Sequence, residues 1–512
     1  MVFLANRFYV KWVLAVFIGL SVSTQASSKT FQFEELFDAQ PDEPSTASPV
    51  IGIELGPNLL AKFEAAQALL LDSKFTEAEP LVREVTEDAP NGPAGWHLLG
   101  LVLANQNRFD EALEALGTAG NLYTQTAEPF IVQGDILLAL GRRDEAREAY
   151  RTAVGRDPAN WRGAETAGVL AQEDGDTAEA EELLRIALQT APRDRLFTRL
   201  RLAGALLDTE RPGEAAKLLE TFVSENPGDL QALAALGHAN LAAGGPDDAV
   251  SAFQRAVDQL PENASLNLFL GQALLSAGNV VAAESAMLTA QRLEPDAPGV
   301  YLELGNLYGA TRDYEQALEK YRTGIDLQAD APQLLRGARL AAYRLERREV
   351  ALDYAQSVAA MQGATSQDFF WLGLLEQQTG NAAKAERAYE IALELDPSNW
   401  ITANNLAVLI TETDPTRALD LAASAEVLKP DSTDVQATLG WANYHAGNLS
   451  EAEAIYQNLV MLAEPKPHHI YRLGVIFLEQ GKRSEGRSQL EAALALDSDF
   501  EDANDARARL AN

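Results

Sequence analysis

The sequence predicts an all-α fold made of helix pairs that stack one after another, and three observations predict it. A pattern of Gly, Ala twelve residues later and Pro twelve residues after that returns with a period of 34, as in Gly168, Ala180 and Pro192. Each period holds two apolar helical stretches joined by a tight turn, as in residues 230–263. The pattern also runs through most of the 512 residues. Small units of this kind contact only their neighbours and form one elongated stack.

The amino-terminal segment, residues 1–26, has the pattern of a secretory signal. Arg7 and Lys11 form a basic flank, residues 12–22 are apolar, and Ala26 ends a run of residues suited to cleavage. We therefore expect export to the periplasm, with no membrane span in the mature chain. The alternative is an uncleaved amino-terminal helix that anchors the protein, and it also puts the repeats on the periplasmic side.

Residues 27–58 are predicted to form a disordered acidic arm that contains several Pro residues. Its start, residues 31–37, is rich in Phe, so it is either a disordered leader or a docking peptide for a partner. The chain has no Cys, which excludes disulfides, thiolate metal sites, a Cys nucleophile and a lipid anchor on Cys. A soluble periplasmic protein is therefore favoured over a lipid-anchored one.

Residues 59–500 form the predicted stack, in which small residues let the two helices of a unit approach each other. Position 8 of most units is Gly and position 20 is Ala, so we expect these positions to face each other. Large residues at positions 4 and 24 are expected to fill the seam between units. A Pro closes most units because it cannot continue a helix. Residues 501–512 predict a final capping helix with Ala503, Ala506 and Leu510 facing inward.

These features resemble the tetratricopeptide repeat, and the closest matches to its pattern are residues 94–100 and 301–324. The resemblance implies a right-handed superhelical solenoid of about thirteen helix-turn-helix units. Two units depart from the pattern. Arg339 stands where a small residue is expected, and the unit from Trp400 is one residue short. Either departure is compatible with a bend in the stack.

The resemblance also implies where a partner binds. Positions 2, 5, 9, 12 and 13 of the first helices line a concave groove in this family, and in the last five units they form a largely apolar run. The predicted groove residues are Leu340, Tyr343, Phe370, Leu374, Val408, Trp441, Tyr444, Tyr471 and Val475. We expect them to hold a peptide or a helix through apolar anchors. Packing against a neighbouring unit is the competing explanation for each of them.

No residue pattern for catalysis, metal binding or cofactor binding was found. Of the five His residues only His468 and His469 are adjacent, and they lack Cys or carboxylate partners at ligand spacing. Catalytic and phosphate-binding motifs are absent, and the many carboxylate pairs are expected to be solvated. The formal charge of −34, without a basic stripe, argues against nucleic acid and anionic lipid as partners.

The sequence therefore predicts a non-catalytic protein–protein interaction scaffold of the bacterial cell envelope, whose partner is an envelope protein or peptide. The alternative is a periplasmic module that binds a glycan or a lipid in the groove during polysaccharide synthesis or export. An enzyme is the least favoured class, because no segment outside the repeats is long enough for a catalytic domain.

Overall fold

A computed structural model of the chain describes residues 56–123, 126–191, 195–462, 464 and 466–511. The predicted signal segment, and the predicted arm up to residue 55, lie outside the described residues. Within the described residues the chain forms 27 α-helices and no strand, so the all-α prediction is confirmed. In order along the chain, they make thirteen pairs followed by one further helix.

The helices are numbered in chain order. They are α1 Pro57–Leu71, α2 Phe75–Asp88, α3 Pro93–Asn105, α4 Phe109–Leu122, α5 Glu128–Ala139, α6 Arg143–Arg156, α7 Trp161–Glu173, α8 Thr177–Thr190, α9 Leu196–Asp208, α10 Pro212–Glu225, α11 Leu230–Ala242, α12 Pro246–Gln259, α13 Ala264–Ser276, α14 Val280–Leu293, α15 Pro298–Ala310, α16 Tyr314–Leu327, α17 Pro332–Arg344, α18 Arg348–Ala359, α19 Ser366–Gln378, α20 Ala382–Leu395, α21 Trp400–Ile410, α22 Pro415–Leu428, α23 Thr433–His445, α24 Leu449–Val460, α25 Pro467–Glu479, α26 Arg483–Leu496 and α27 Ala503–Ala511.

Local sequence signals fix where the helices begin and end. Asp229, Asn263 and Asn399 cap α11, α13 and α21, because the side chain of each accepts a hydrogen bond from a backbone N–H of the first turn. The turns between the helices of a pair often contain a Gly with positive φ. Gly380, at φ 84°, adopts such a conformation between α19 and α20, which most side chains disfavour.

The contacts divide the chain into two compact units, the first ending at Ala286 and the second beginning at Met287. Each helix packs against the next one along the chain from α1 to α13 in the first unit and from α15 to α27 in the second. The first helices of successive pairs also contact each other, as α9 does α11 in the first unit and α21 does α23 in the second. Where first helices meet in this way, their outward-facing residues lie on a common face. Helices α17 and α19 are joined through side chains, as by the ion pair of Arg336 and Asp368.

The small residue at position 8 has a different neighbour from the one expected. A Cβ atom on Gly134 would lie 2.6 Å from the ring of Tyr150, and one on Gly373 would lie 2.6 Å from that of Tyr389. The tight contact is therefore between position 8 and the large residue at position 24 of the same pair, rather than the Ala at position 20. In the ninth pair the sizes are exchanged, since Arg339 stands at position 8 and the buried Ala355 at position 24.

The last helix, α27, packs on the end of the second unit. Ala503 and Ala506 are buried, and Leu510 is partly buried. Ala506 and Leu510 belong to a hydrophobic cluster at this end of the unit. That cluster includes Tyr471 and Val475 of α25, so α27 covers part of the face formed by the first helices.

Candidate functional site

The predicted groove residues of α17, α19 and α21 lie on the exposed side of the first helices. Leu340, Leu374 and Val408 stand at position 9 of three successive pairs. Leu340 is 42% exposed and Val408 52% exposed, whereas Leu374 is partly buried. An exposed apolar residue repeated at one position of neighbouring helices forms a stripe that is available to a partner.

Aromatic side chains lie beside this stripe. Tyr343 packs edge-on against Trp371, with ring centroids 5.1 Å apart, and Phe370 approaches Trp371 at 6.2 Å. Phe370 also lies 6.2 Å from Tyr389 of the second helix, so it belongs partly to the core. Trp371 was missed in the sequence prediction because it stands at position 6, outside the positions carried over from the family pattern. Its place next to Phe370 was the available signal.

A buried ion network lies behind these rings. The Asp368 carboxylate, 1% exposed, accepts hydrogen bonds from Arg336 at 2.9 and 2.6 Å and from Arg339 at 3.3 Å. It also accepts from the backbone N–H and hydroxyl of Thr365, at 3.0 and 2.8 Å. Although burial alone would raise the pKa of Asp368, the bonds from Arg336 and Thr365 lower it to about 2.

Arg339 explains the departure from the repeat pattern that the sequence showed. Its side chain is almost fully buried, and burial lowers its pKa to about 10, so it stays charged at neutral pH. The guanidinium carbon lies 5.0 Å from the centre of the Trp371 ring, a cation–π arrangement. Arg339 therefore holds both Asp368 and Trp371 of the next pair in place.

A second aromatic group lies on α23. Trp441 and Tyr444 stack with centroids 4.6 Å apart and planes 12° from parallel. His445 packs edge-on against both rings, and the Arg472 guanidinium lies 4.7 Å from the Trp441 centroid. Trp441 and Tyr444 remain partly exposed. The rings contact each other and α25, so much of their surface is used inside the chain.

Tyr471 and Val475 are not available on this face. They are 6% and 1% exposed and pack with Leu490 and Ala506, and the Tyr471 hydroxyl donates a hydrogen bond to Asp505 at 2.5 Å. The prediction that they line an open groove is wrong, because α27 covers them and they are core residues. Seven of the nine predicted residues remain exposed or partly exposed.

Two of the corresponding positions in the first unit hold polar residues that are buried. Glu165 is 7% exposed and bonded to Arg195 at 2.9 Å and to Thr198. His238 is 4% exposed and lies between Phe253 and Phe269, at 5.1 and 4.5 Å. At position 9 of the first unit, Asp135 stands between Leu101 and Val169, and no three successive pairs have an apolar residue there, so the apolar stripe is a feature of the second unit.

Two features of membrane and metal proteins are absent from the residues that the structure describes. None of the described helices combines the length and the apolar character that crossing a membrane requires. In the same part of the chain, no three side chains of His, Asp or Glu come together in a way that could hold a metal ion. His468 and His469 are neighbours, with ring centroids 4.3 Å apart, and His469 is buried.

Comparison with known families gives a match over more than half of the chain. A family model described as tetratricopeptide repeat matches residues 63–119, 131–195, 235–298 and 371–432, and a second model of the same description matches residues 298–330. No curated protein sequence matches the chain.

Several solved structures are similar to the chain at low identity. One is a chain of the Cut9–Hcn1 hetero-tetramer of APC/C, with 13% identity, coverage of 87% of this chain and 95% of that chain, and a TM-score of 0.36. A tetratricopeptide repeat protein from Parabacteroides merdae has 14% identity, coverage of 49% and 98%, and a TM-score of 0.39. YrrB, described as a TPR protein with an unusual peptide-binding site, has 18% identity, coverage of 44% and 98%, and a TM-score of 0.29.

Proposed function

The chain belongs to the tetratricopeptide repeat family, and from that premise we propose that it is a non-catalytic scaffold of the bacterial cell envelope. Repeats of this family bind other proteins, so the chain is a protein-interaction scaffold. In our proposal the partner is an exported or membrane-bound protein. It presents a peptide or a helix to the first-helix face of the second unit.

The observation that carries the proposal is the apolar stripe of Leu340, Leu374 and Val408, of which Leu340 and Val408 are exposed and Leu374 is partly exposed. Apolar side chains exposed at one register of successive helices are costly in a chain that carries a net charge of −34 for solubility, unless a partner covers them. The stripe runs along the stacking direction of α17, α19 and α21, which suits an extended or helical segment.

Export is the part of the proposal that rests on the sequence pattern of residues 1–26 alone. It predicts that the purified mature chain begins after Ala26 and is recovered from the periplasmic fraction. Amino-terminal sequencing and fractionation measure both. A full-length chain in the cytoplasmic fraction would contradict export.

A glycan ligand is the weaker alternative. Sugars stack on free aromatic faces, whereas the Trp441 ring already has Tyr444 stacked on it and Arg472 over it, and Trp371 has Arg339 over its ring. The exposed residues that remain are mainly aliphatic, which favours a peptide.

The test compares two double variants in cells whose envelope is cross-linked before affinity purification. Leu340→Glu with Val408→Glu puts charges on the stripe, while Val427→Glu with Met461→Glu places the same change at side chains that are 77% and 83% exposed elsewhere in the second unit. We expect a stoichiometric partner with the wild type and the control, and its loss with the stripe variant. Equal recovery with both variants, at equal helical content by circular dichroism, would refute the binding face.

A further inference from the structure

Arg336 presents a fixed and partly unused guanidinium group next to the apolar stripe. Its Nε and Nη2 donate to the two oxygens of Asp368 at 2.9 and 2.6 Å. The structure records no hydrogen bond from Nη1 to any described residue, and the side chain is 36% exposed. Because the paired bonds to Asp368 set the plane of the guanidinium, the free nitrogen is held in position before any ligand arrives.

The charges around Arg336 do not cancel. Two guanidinium groups, those of Arg336 and Arg339, share the single carboxylate of Asp368, which already accepts five hydrogen bonds. Helix α17 has no acidic residue, and the only other one on α19 is Glu376, which is 2% exposed and bonded to Gln356 and Asn381. Helices α17 and α19 together therefore carry more guanidinium groups than carboxylates, although the chain as a whole carries −34.

Apolar groups flank the positive centre along the direction in which the pairs stack. Leu340 lies one turn further along α17, Leu374 lies at the matching position of α19, and Leu302 of α15 stands at the same position as Arg336 one pair earlier. Leu302 and Leu374 are both partly exposed. A segment that lies along this face thus contacts apolar residues on both sides of the charge. This arrangement suits the side-chain carboxylate of a Glu or Asp within the segment better than the carboxylate at the end of a chain.

We propose that α17 and α19 bind a partner segment in which an internal Glu or Asp pairs with Nη1 of Arg336, while apolar residues on either side contact Leu340 and Leu374. This inference rests on the proposed function and specifies the partner's chemistry. The acidic side chain adds a charge-assisted hydrogen bond to a site that apolar contact alone would not orient.

The experiment selects ligands from a random peptide library displayed between Gly-Ser linkers, so that no peptide has a free carboxyl terminus. The mature chain, residues 27–512, is compared with two variants. One is Arg336→Gln, and the other is Arg348→Gln, at an exposed arginine on α18 that forms no ion pair with a described residue. Arg336→Gln leaves Asp368 paired one to one with Arg339, so we expect the variant to fold. Circular dichroism and melting curves verify this.

We expect the wild type to select peptides with one acidic residue flanked by apolar residues. Replacing that residue by Gln or Asn should weaken binding at least tenfold, and Arg336→Gln should do the same. Combining the two changes should cost little more than either alone. Arg348→Gln should stay within twofold of the wild type. The peptide change needs no variant protein, so it tests the pairing even if Arg336→Gln were unstable.

Two outcomes overturn the inference. In the first, the selected peptides contain no acidic residue, and their binding still depends on Leu340 and Val408. That result would leave the proposed binding face intact. In the second, no linker-flanked peptide binds, whereas synthetic peptides with a free terminal carboxylate bind in a way that depends on Arg336. Peptides that bind equally well to the Leu340→Glu and Val408→Glu double variant would instead refute the proposed face.

Discussion

Tyr389 determines which residue can stand at position 373. The Tyr389 ring is fully buried, its hydroxyl donates to Gln377 at 2.9 Å, and a Cβ atom on Gly373 would lie 2.6 Å from it. The same relation holds between Gly134 and Tyr150. The sequence showed that position 8 needs a small residue, but it did not show which neighbour requires it. Ala at position 20 and the ring at position 24 recur with the same period, so periodicity alone cannot separate them.

Gly373→Ala should therefore destabilise the protein by about 1–3 kcal/mol, since the extra methyl group must displace a buried ring. Gly299→Ala is the matched control in the same unit. It lies in the first turn of α15, no atom would come within 4 Å of the new Cβ, and the change should stabilise by about 0.5–1 kcal/mol. Urea unfolding followed by circular dichroism measures both. Equal effects of the two substitutions would contradict the ring contact.

His238 is expected to make the first unit sensitive to mild acid. Burial between Phe253 and Phe269 lowers its pKa from 6.5 to about 4. The unfolded chain then binds a proton that the folded one does not. Above pH 6.5 the titration of His238 therefore does not lower the stability of the fold. As the pH drops from 6.5 towards 4, the free energy of unfolding falls by up to about 1.4 kcal/mol per pH unit.

The variant His238→Gln lacks this titration. Its free energy of unfolding should therefore fall by roughly 2 kcal/mol less than that of the wild type between pH 7 and pH 5. The readout is a difference between two pH values within one variant, so any general loss of stability cancels. His97, whose pKa burial also lowers to about 4, offers an independent repeat of the test. An unchanged pH dependence in His238→Gln would rule out the depressed pKa.

At the scale of elements, the helix pairs were predictable and their ionic connections were not. The period of 34 shows where α17 and α19 lie, and it marks Arg339 as a departure. It gives no sign that Asp368 is the partner, because the two residues lie on different helices and Arg does not recur at position 8. The capping of Tyr471 and Val475 by α27 was missed for a related reason: a position pattern taken from internal units does not include the end of a stack.

Asp368→Asn should be strongly destabilising, because it leaves the buried Arg339 without an anion. We expect a loss of about 3–5 kcal/mol, concentrated in α17 and α19. The control is Asp434→Asn on α23, which breaks an exposed ion pair with Lys466 at 2.7 Å and should cost less than about 1 kcal/mol. Hydrogen exchange of the amides in these helices measures the change. A variant as stable as the control would show that the network adds little.

At the scale of the whole molecule, many arginines are used to join successive pairs. Arg108 contacts Glu79 at 2.7 Å, Arg211 contacts Glu181 at 2.6 Å, and Arg417 contacts Glu386 at 2.8 Å. In each case an arginine at the start of a second helix reaches the second helix of the preceding pair. Part of the acidic excess thus has a structural use. Arg336 differs from these arginines because it lies on a first helix and its Nη1 donates no hydrogen bond to a described residue.

Because each pair contacts mainly its neighbours, damage at one end of the chain should stay local. Ending the chain at Phe500 removes α27 and exposes Tyr471 and Val475, which α27 otherwise buries. We expect hydrogen-exchange protection to fall in α25 and α26, to fall less in α23, and to stay unchanged throughout the first unit. The control is Arg507→Gln, at a half-exposed side chain of α27, which should leave all helices protected. A uniform loss of protection across both units would show instead that the chain unfolds as one cooperative body.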